Sequence, residues 1–224
     1  MDRPNTMALL AVPTRMAMLF ALMDGSALPA SELAHRAGVS PQTASHHLAL
    51  LIEAHLLVVE RCLRYRYYRI ASPAVVEAIE SLLVISGQPA LKERADHSQL
   101  ERLRLARTCY DHLAGRIAVS LADALQKKDW IVLEGRDFQV TERGESAFNK
   151  LGIDLPMLRK QQRLFARRCI DWSERRPHLG GALGAALLAR FQEMDWVRKK
   201  TGDRQVHISS KGQQELWKRF GIDL

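Results

Sequence analysis

Ser31-Glu32-Leu33-Ala34-His35-Arg36-Ala37-Gly38-Val39-Ser40-Pro41-Gln42-Thr43-Ala44-Ser45-His46-His47-Leu48-Ala49-Leu50-Leu51 reads as a short helix, a tight turn at Gly38 and a second helix. Ser40 is placed as N-cap of the second helix and Pro41 at its first helical position. Leu33, Ala34 and Ala37 take the inward face of the first helix, Gly38 supplies a turn that a Cβ would penalise, and Val39 fills the corner. Ala44, Leu48 and Leu51 form one stripe of the second helix, which turns Gln42, Thr43, Ser45, His46 and Ala49 away from the core. An ordinary solvated helix face carries Glu and Lys; this one is short, polar and nearly uncharged. Side chains of that kind approach base edges in a major groove, so the stretch reads as a DNA-reading helix-turn-helix.

Upstream, Met16, Leu19, Phe20 and Met23 recur at helical spacing and predict a covering helix that ends at Asp24-Gly25-Ser26, after which Pro29 opens the motif. Downstream, His55 to Glu60 shifts to a β-type run, Arg61 to Arg64 is a turn, and Tyr65 to Ile70 returns as a strand. Two strands joined by a basic turn directly after such a helix make a wing. Arg61, Arg64 and Arg66 alternate with Tyr65 and Tyr67, which places guanidinium groups where a phosphate backbone or minor groove can be held. The alternative is a solvated hairpin with aromatic cross-strand pairs. Cys62, in the same turn, has no second ligand near it in sequence. Pro73 to Ser86 then carries Val75, Val76, Ile79, Leu82, Leu83 and Val84 on a broad apolar face. That face needs a partner, either a second copy of the chain across a two-fold or the rest of its own chain. Gly87-Gln88-Pro89 ends the helix, and 90 to 98 is a polar connector.

Composition agrees with this reading. The 224 residues are 47% hydrophobic, enough for one large or two modest domains, and carry 33 Lys and Arg against 25 Asp and Glu, a net +8. A pI near 9.7 suits a polyanionic partner. No apolar run reaches the ~18–20 residues of a membrane span. The run from Met7 to Leu22 is broken by Pro13, Thr14 and Arg15, and no cleavable signal pattern precedes it. Three cysteines, Cys62, Cys109 and Cys169, are an odd number without a close pair, which fits a reducing cytoplasm better than a disulfide framework.

Residues from about Thr14 to Leu83 resemble the ArsR-type winged-helix repressors. The likeness rests on Ser31-Glu32-Leu33-Ala34, Gly38-Val39-Ser40, Thr43-Ala44-Ser45-His46-His47-Leu48, Leu56-Leu57 and Tyr65-Arg66-Tyr67-Tyr68-Arg69-Ile70. The resemblance implies a bacterial homodimer that releases DNA when an inducer binds. It also implies that Gln42, Thr43, Ser45 and His46 read bases, that the Arg64 region is the wing, and that the outer helices dimerise. The residues expected to touch DNA are therefore Ser40, Pro41, Gln42, Thr43, Ser45, His46 and His47, with Arg61, Arg64 and Arg66. One departure matters. The metal-sensing branch of that family carries Cys-x-Cys in the first motif helix, where this chain has Ser31-Glu32-Leu33-Ala34, so its thiolate site does not carry over.

The second half contains a duplication. Ala106-Arg107-Thr108-Cys109-Tyr110-Asp111 matches Ala166-Arg167-Arg168-Cys169-Ile170-Asp171, and His112-Leu113-Ala114-Gly115 matches His178-Leu179-Gly180-Gly181 after an insertion of Trp172 to Pro177. Asp129-Trp130-Ile131 then matches Asp195-Trp196-Val197, and Leu151-Gly152-Ile153-Asp154-Leu155 matches Phe220-Gly221-Ile222-Asp223-Leu224. Each copy reads as a helix through the Cys-x-Asp, a helix ending at Trp, a hairpin turning at Gly135 or Gly202, and a closing helix opened by Thr141 or Ser209. Cys109, Asp111 and His112 with Cys169, Asp171 and His178 offer thiolate, carboxylate and imidazole, a set able to bind a soft metal or metalloid ion. Duplicated cysteines equally mark duplicated packing, and the two histidines can be capping or core residues. Trp130 and Trp196 read as core.

The expected fold is mainly α with β-hairpin wings (α+β). A winged helix-turn-helix DNA-binding and dimerisation domain spans 1–88, a connector 89–102, and two winged-helix-like repeats 103–158 and 159–224. The expected function is a cytoplasmic, homodimeric, DNA-binding regulator, a repressor released by a small ligand, metal or metalloid ion, or thiol oxidant sensed in the repeats. No cofactor is expected for folding, and the partners are an operator duplex, a second copy and the effector, with no membrane. A cysteine-dependent enzyme is the competing reading; it lacks a Gly-rich phosphate loop, a His-Glu-x-x-His pair and a nucleophile elbow. A tandem winged-helix protein-interaction subunit is the third.

Overall fold

The computed structural model describes residues 6–23, 25–62, 65–86, 97–199 and 204–224. They form two compact units, with the division between Leu82 and Leu83. The first unit runs α1 (Thr6–Leu10), α2 (Pro13–Ala21), β1 (Leu28–Pro29), α3 (Ala30–Ala37), α4 (Pro41–Glu53), β2 (Leu57–Cys62), β3 (Tyr65–Ile70) and the start of α5 (Pro73–Ser86). Its sheet has the antiparallel order β1-β3-β2, with Leu57 opposite Ile70 and Cys62 opposite Tyr65.

Local chemistry sets the helix ends. Gly38 takes φ +65° at the C-cap of α3, a left-handed conformation that favours glycine. The Ser40 hydroxyl accepts the Thr43 amide at 3.2 Å, and Pro41 follows at the start of α4. Leu33 on α3 and Ala44, Leu48 and Leu51 on α4 are buried together with Met18, Leu19, Leu22 and Met23. The predicted stripe on the covering helix is thus partly corrected: Leu19 and Met23 are buried as expected, but Met18 and Leu22 fill the core where Met16 and Phe20 were expected. The helix ends at Ala21, so Leu22 and Met23 enter the core from the turn beyond it rather than from the helical face. The second wing strand is as expected, while the first is shifted by two residues, starting at Leu57 rather than His55 and reaching Cys62 in the expected turn; Leu63, Arg64 and the predicted stop at Gly87-Gln88-Pro89 lie outside the described residues, as does Asp24. On α5, Val76, Ile79 and Leu83 are buried and Ile85 is 81% exposed.

The second unit contains α6 (His97–Leu105) and then the duplicated order. The first copy is β4 (Arg107–Cys109), β5 (His112–Ala114), α7 (Arg116–Lys127), β6 (Ile131–Glu134), β7 (Asp137–Val140) and α8 (Glu142–Lys150). After α9 (Leu155–Arg159) the second copy is β8 (Arg167–Ile170), β9 (Pro177–Gly180), α10 (Gly181–Glu193), β10 (Val197–Lys199), β11 (Val206–Ile208) and α11 (Ser210–Phe220). The expected helix through each Cys-x-Asp is a β-hairpin instead. Its partners come from the other copy: Thr108 donates its amide to the Arg204 carbonyl at 2.8 Å, and Arg107 bridges Gln205. Those tertiary bonds, with β-branched Thr108 and Ile170 in the strands, outweigh local helical tendency.

The duplication is carried into the geometry. Phe138 on β7 donates to the Ala166 carbonyl at 2.9 Å, and its repeat-mate Val206 on β11 donates to Ala106 at 3.0 Å. Each copy therefore pins its wing strand to the other copy's hairpin. Thr141 caps α8 by accepting from the Gly144 amide, and Ser209 caps α11 by accepting from Gly212. A Cβ on Gly144 would lie 2.0 Å from the Trp130 carbonyl, and one on Gly212 2.0 Å from the Trp196 carbonyl, so both closing helices cross their Trp at a distance only glycine allows. One apolar core spans both copies, including Ile131, Phe138, Phe148, Phe191, Trp196 and Leu216. Trp196 is fully core, whereas Trp130 is half-buried at its edge, edge-on to Phe148 and Phe220.

Candidate functional site

In the first unit α4 presents Gln42, Thr43, Ser45, His46 and Ala49 to solvent. Ser40 and Thr43 are tied to each other, hydroxyl to hydroxyl, at 2.9 Å, and the Ser45 hydroxyl donates to the Pro41 carbonyl at 2.9 Å. Gln42 and His46 are the exposed, longer side chains of this face. His47 is only half-exposed; burial first, then Arg15 and His46, lowers its pKa and favours the neutral ring. On the wing Arg61 and Arg66 are exposed and sit directly opposite each other across the strand pair. Arg64 lies outside the described residues. Elsewhere on the strand pair, Glu60 and Arg69 form a salt bridge.

In the second unit, strand register builds a different kind of site. Cys109 lies opposite His112 in β4-β5, and Cys169 lies opposite His178 in β8-β9. Cross-strand partners share a sheet face, so each hairpin offers one thiol and one imidazole side by side. Between the copies the pairs meet: Cys109 Sγ is 3.8 Å from Cys169 Sγ, and His112 Nε2 is 3.1 Å from His178 Nε2. All four potential ligand atoms lie within 4.8 Å of one another. Cys109, His112 and His178 are buried and Cys169 is half-buried. Both histidines are therefore buried strand residues, and neither caps a helix.

The two carboxylates proposed alongside them are not brought into this group, and they have diverged. Asp111 accepts from His112 Nδ1 at 3.3 Å and from Arg163 Nη1 at 2.6 Å. Burial alone would raise its pKa, but His112 and Arg163 lower it overall. Asp171 turns to the first copy: it accepts from Arg107 Nη2 at 2.8 Å and from the Gly115 amide at 2.6 Å, at the start of α7. Burial would raise Asp171 as well, yet Arg107, His178, Ser173 and Gly115 hold it well below the usual carboxylate range. For His112 burial lowers the pKa, while Cys109 and Asp111 raise it to about 9.

Sequence reasoning missed three contributors. Arg107 is buried by the inserted segment of the second copy, with its guanidinium 4.4 Å over Trp172 and bonded to Ser173. Gly180 is the second: a Cβ there would meet His112 Nε2 at 3.0 Å. Gly184 is the third, since its Cβ would meet the Leu179 carbonyl at 2.3 Å and His112 Cβ at 3.2 Å. Both glycines replace alanines of the first copy, Ala114 and Ala118, and that asymmetry was the available signal.

Comparison with known proteins agrees with the first unit. A helix-turn-helix domain family matches residues 9–60. An uncharacterized HTH-type transcriptional regulator of Bacillus subtilis (strain 168), YdfF, is 41% identical over 217 residues, covering 97% of this chain and 96% of that protein. Among solved structures, the AntR antimony-specific transcriptional repressor is 32% identical over 36% of this chain and 72% of its own, at a TM-score of 0.33. The homodimeric winged helix-turn-helix DNA-binding domain of a possible ArsR-family regulator from Mycobacterium bovis is 26% identical over 40% of this chain and 82% of its own, at a TM-score of 0.34. With 41% identity to YdfF over nearly the full length of both proteins, and with a helix-turn-helix domain matched over residues 9–60, the chain belongs to the HTH-type transcriptional regulators.

Proposed function

We propose that this DNA-binding regulator is a cytoplasmic, homodimeric repressor whose tandem C-terminal copies sense a thiol-binding or thiol-oxidising effector and release the operator. The observation that carries the reading is the meeting of Cys109 and Cys169, one from each copy, at 3.8 Å beside His112 and His178. In this reading 1–88 reads DNA and dimerises, and 103–158 with 159–224 hold the effector. Gln42 and His46 read bases, Ser40, Pro41, Thr43, Ser45 and His47 support that helix, and Arg61, Arg64 and Arg66 hold phosphate. The apolar face of α5, with Ile85 still 81% exposed, supports pairing with a second copy. No helix among the described residues is long and apolar enough to cross a membrane. In this reading the protein acts by binding rather than turnover, as expected of a helix-turn-helix regulator.

The test is fluorescence anisotropy of the full chain on DNA from its own upstream region across a range of salt, then with metal ions, arsenite, antimonite and peroxide. Specific binding with a steep salt slope, reversed by one effector in wild type but not in Cys109→Ser/Cys169→Ser, is expected. Binding that ignores sequence at low salt, or release that persists in the double variant, overturns it.

A further inference from the structure

We propose that Cys109, His112, Cys169 and His178 hold a single zinc-class divalent cation in a closed, tetrahedral, two-thiolate and two-imidazole site between the two copies. The inference deepens the sensing reading above and rests on it only for the consequence at the operator.

Distances argue for the ion. Tetrahedral bonds of ~2.3 Å to sulfur require sulfurs ~3.8 Å apart, and bonds of ~2.0–2.1 Å to nitrogen require nitrogens ~3.3 Å apart. The observed separations are 3.8 Å for the two Sγ atoms and 3.1 Å for the two Nε2 atoms. Ring edges argue for it too. Two Nε2 atoms facing each other share at most one proton. A cation between the rings engages both Nε2 lone pairs at once. Behind His112, Asp111 accepts from Nδ1 and is itself held by Arg163, the carboxylate-histidine support that orients ligating imidazoles. Gly180 and Gly184 leave the room His112 needs.

The donor set also selects the ion. Two thiolates with two imidazoles in a tetrahedron suit zinc, cobalt or cadmium, whereas carboxylate-seeking ions such as magnesium or calcium find no oxygen ligand in the group. Only two sulfurs converge, so a metalloid that binds through three thiolates lacks its third. Four protein ligands fill a tetrahedron and leave no site for an activated water, which makes the ion structural or regulatory.

Cobalt(II) is the probe, titrated into the reduced, chelator-treated full chain without DNA. One cobalt per chain is expected, with intense visible bands of tetrahedral cobalt and a sulfur-to-cobalt band in the near ultraviolet, all displaced by one equivalent of zinc. Cys169→Ser, at the half-buried position, lowers the sulfur band by half, and Asp111→Asn weakens zinc affinity by about 10–100-fold with the visible bands retained. Far-ultraviolet circular dichroism of each apo variant separates lost ligation from lost folding. Weak octahedral bands, no cobalt uptake by a folded apo chain, or unchanged bands in Cys109→Ser/Cys169→Ser overturn the site. A cysteine pair that forms a Cys109-Cys169 disulfide and takes up no cobalt overturns it as well, while leaving oxidant sensing standing. Tight tetrahedral cobalt with no effect on operator binding keeps the site and removes the sensing reading.

Discussion

The Arg107 guanidinium and the Asp171 carboxylate form an ion pair, Nη2 to Oδ2 at 2.8 Å, with side chains 1% and 0% exposed, that ties the first strand of one copy to the turn of the other. The same carboxylate accepts the Gly115 amide, so it also fixes the start of α7. Removing one member of a buried pair strands the other charge, which costs about 3–5 kcal/mol. Asp171→Asn and Arg107→Met should each destabilise the second unit by that order. All four tryptophans, Trp130, Trp172, Trp196 and Trp217, lie in that unit, so urea unfolding followed by tryptophan fluorescence reads it directly. Equal midpoints for wild type and both variants would refute the role.

The same pair predicts an acid limit. The folded pKa of Asp171 lies below its ordinary value of 3.8, so its contribution is complete above that value and is lost as pH falls through it toward the folded pKa. The fluorescence-detected thermal midpoint should drop on acidification below about 4. Asp171→Asn, already destabilised at neutral pH, should show a shallower drop over the same range.

Gly144→Ala and Gly212→Ala should behave alike, because each new Cβ would sit 2.0 Å from a tryptophan carbonyl, backbone that cannot swing aside. Losses of about 1–3 kcal/mol or more are expected for either, with near-equal size because the two sites are repeat-mates. A silent substitution at one and not the other would show that the geometric symmetry is not energetic.

Gly180→Ala probes the cluster instead of the scaffold. Gly180 has φ −109°, so alanine brings no backbone strain, and the cost falls on His112 Nε2 at 3.0 Å. Zinc affinity should weaken at least about tenfold while urea stability of the apo chain changes by less than about 1 kcal/mol. Unchanged zinc affinity would show that His112 stands elsewhere when the ion is bound.

On DNA, Gln42→Ala and Arg66→Ala should separate two kinds of contact. Loss of a base-reading side chain costs about 1–3 kcal/mol and relaxes preference at one position, whereas loss of a phosphate contact weakens all sequences alike and lowers the salt slope by about 1. Competition binding with single-base operator variants at two salt concentrations distinguishes them.

Much of this molecule was determined by the order of residues alone, where the deciding interactions are local. Gly38 and Ser40-Pro41 set the turn and the start of α4, Ala44, Leu48 and Leu51 set its buried face, and Thr141 and Ser209 cap their helices, because each effect acts within one turn of chain. The duplication was likewise legible as matched blocks. Tertiary structure alone decided what those blocks became. The first Cys-x-Asp segment is a strand because Arg204 and Gln205, nearly a hundred residues away, complete it, and the second is held beside Phe138 and Asp137 of the first copy. Asp111 and Asp171 occupy the same repeat position, yet one supports His112 and the other crosses to Arg107 and Gly115. A repeated sequence predicts repeated local structure; it does not predict how two unlike copies, one with an insertion, divide the work where they meet, since burial and charge pairing there depend on both copies at once.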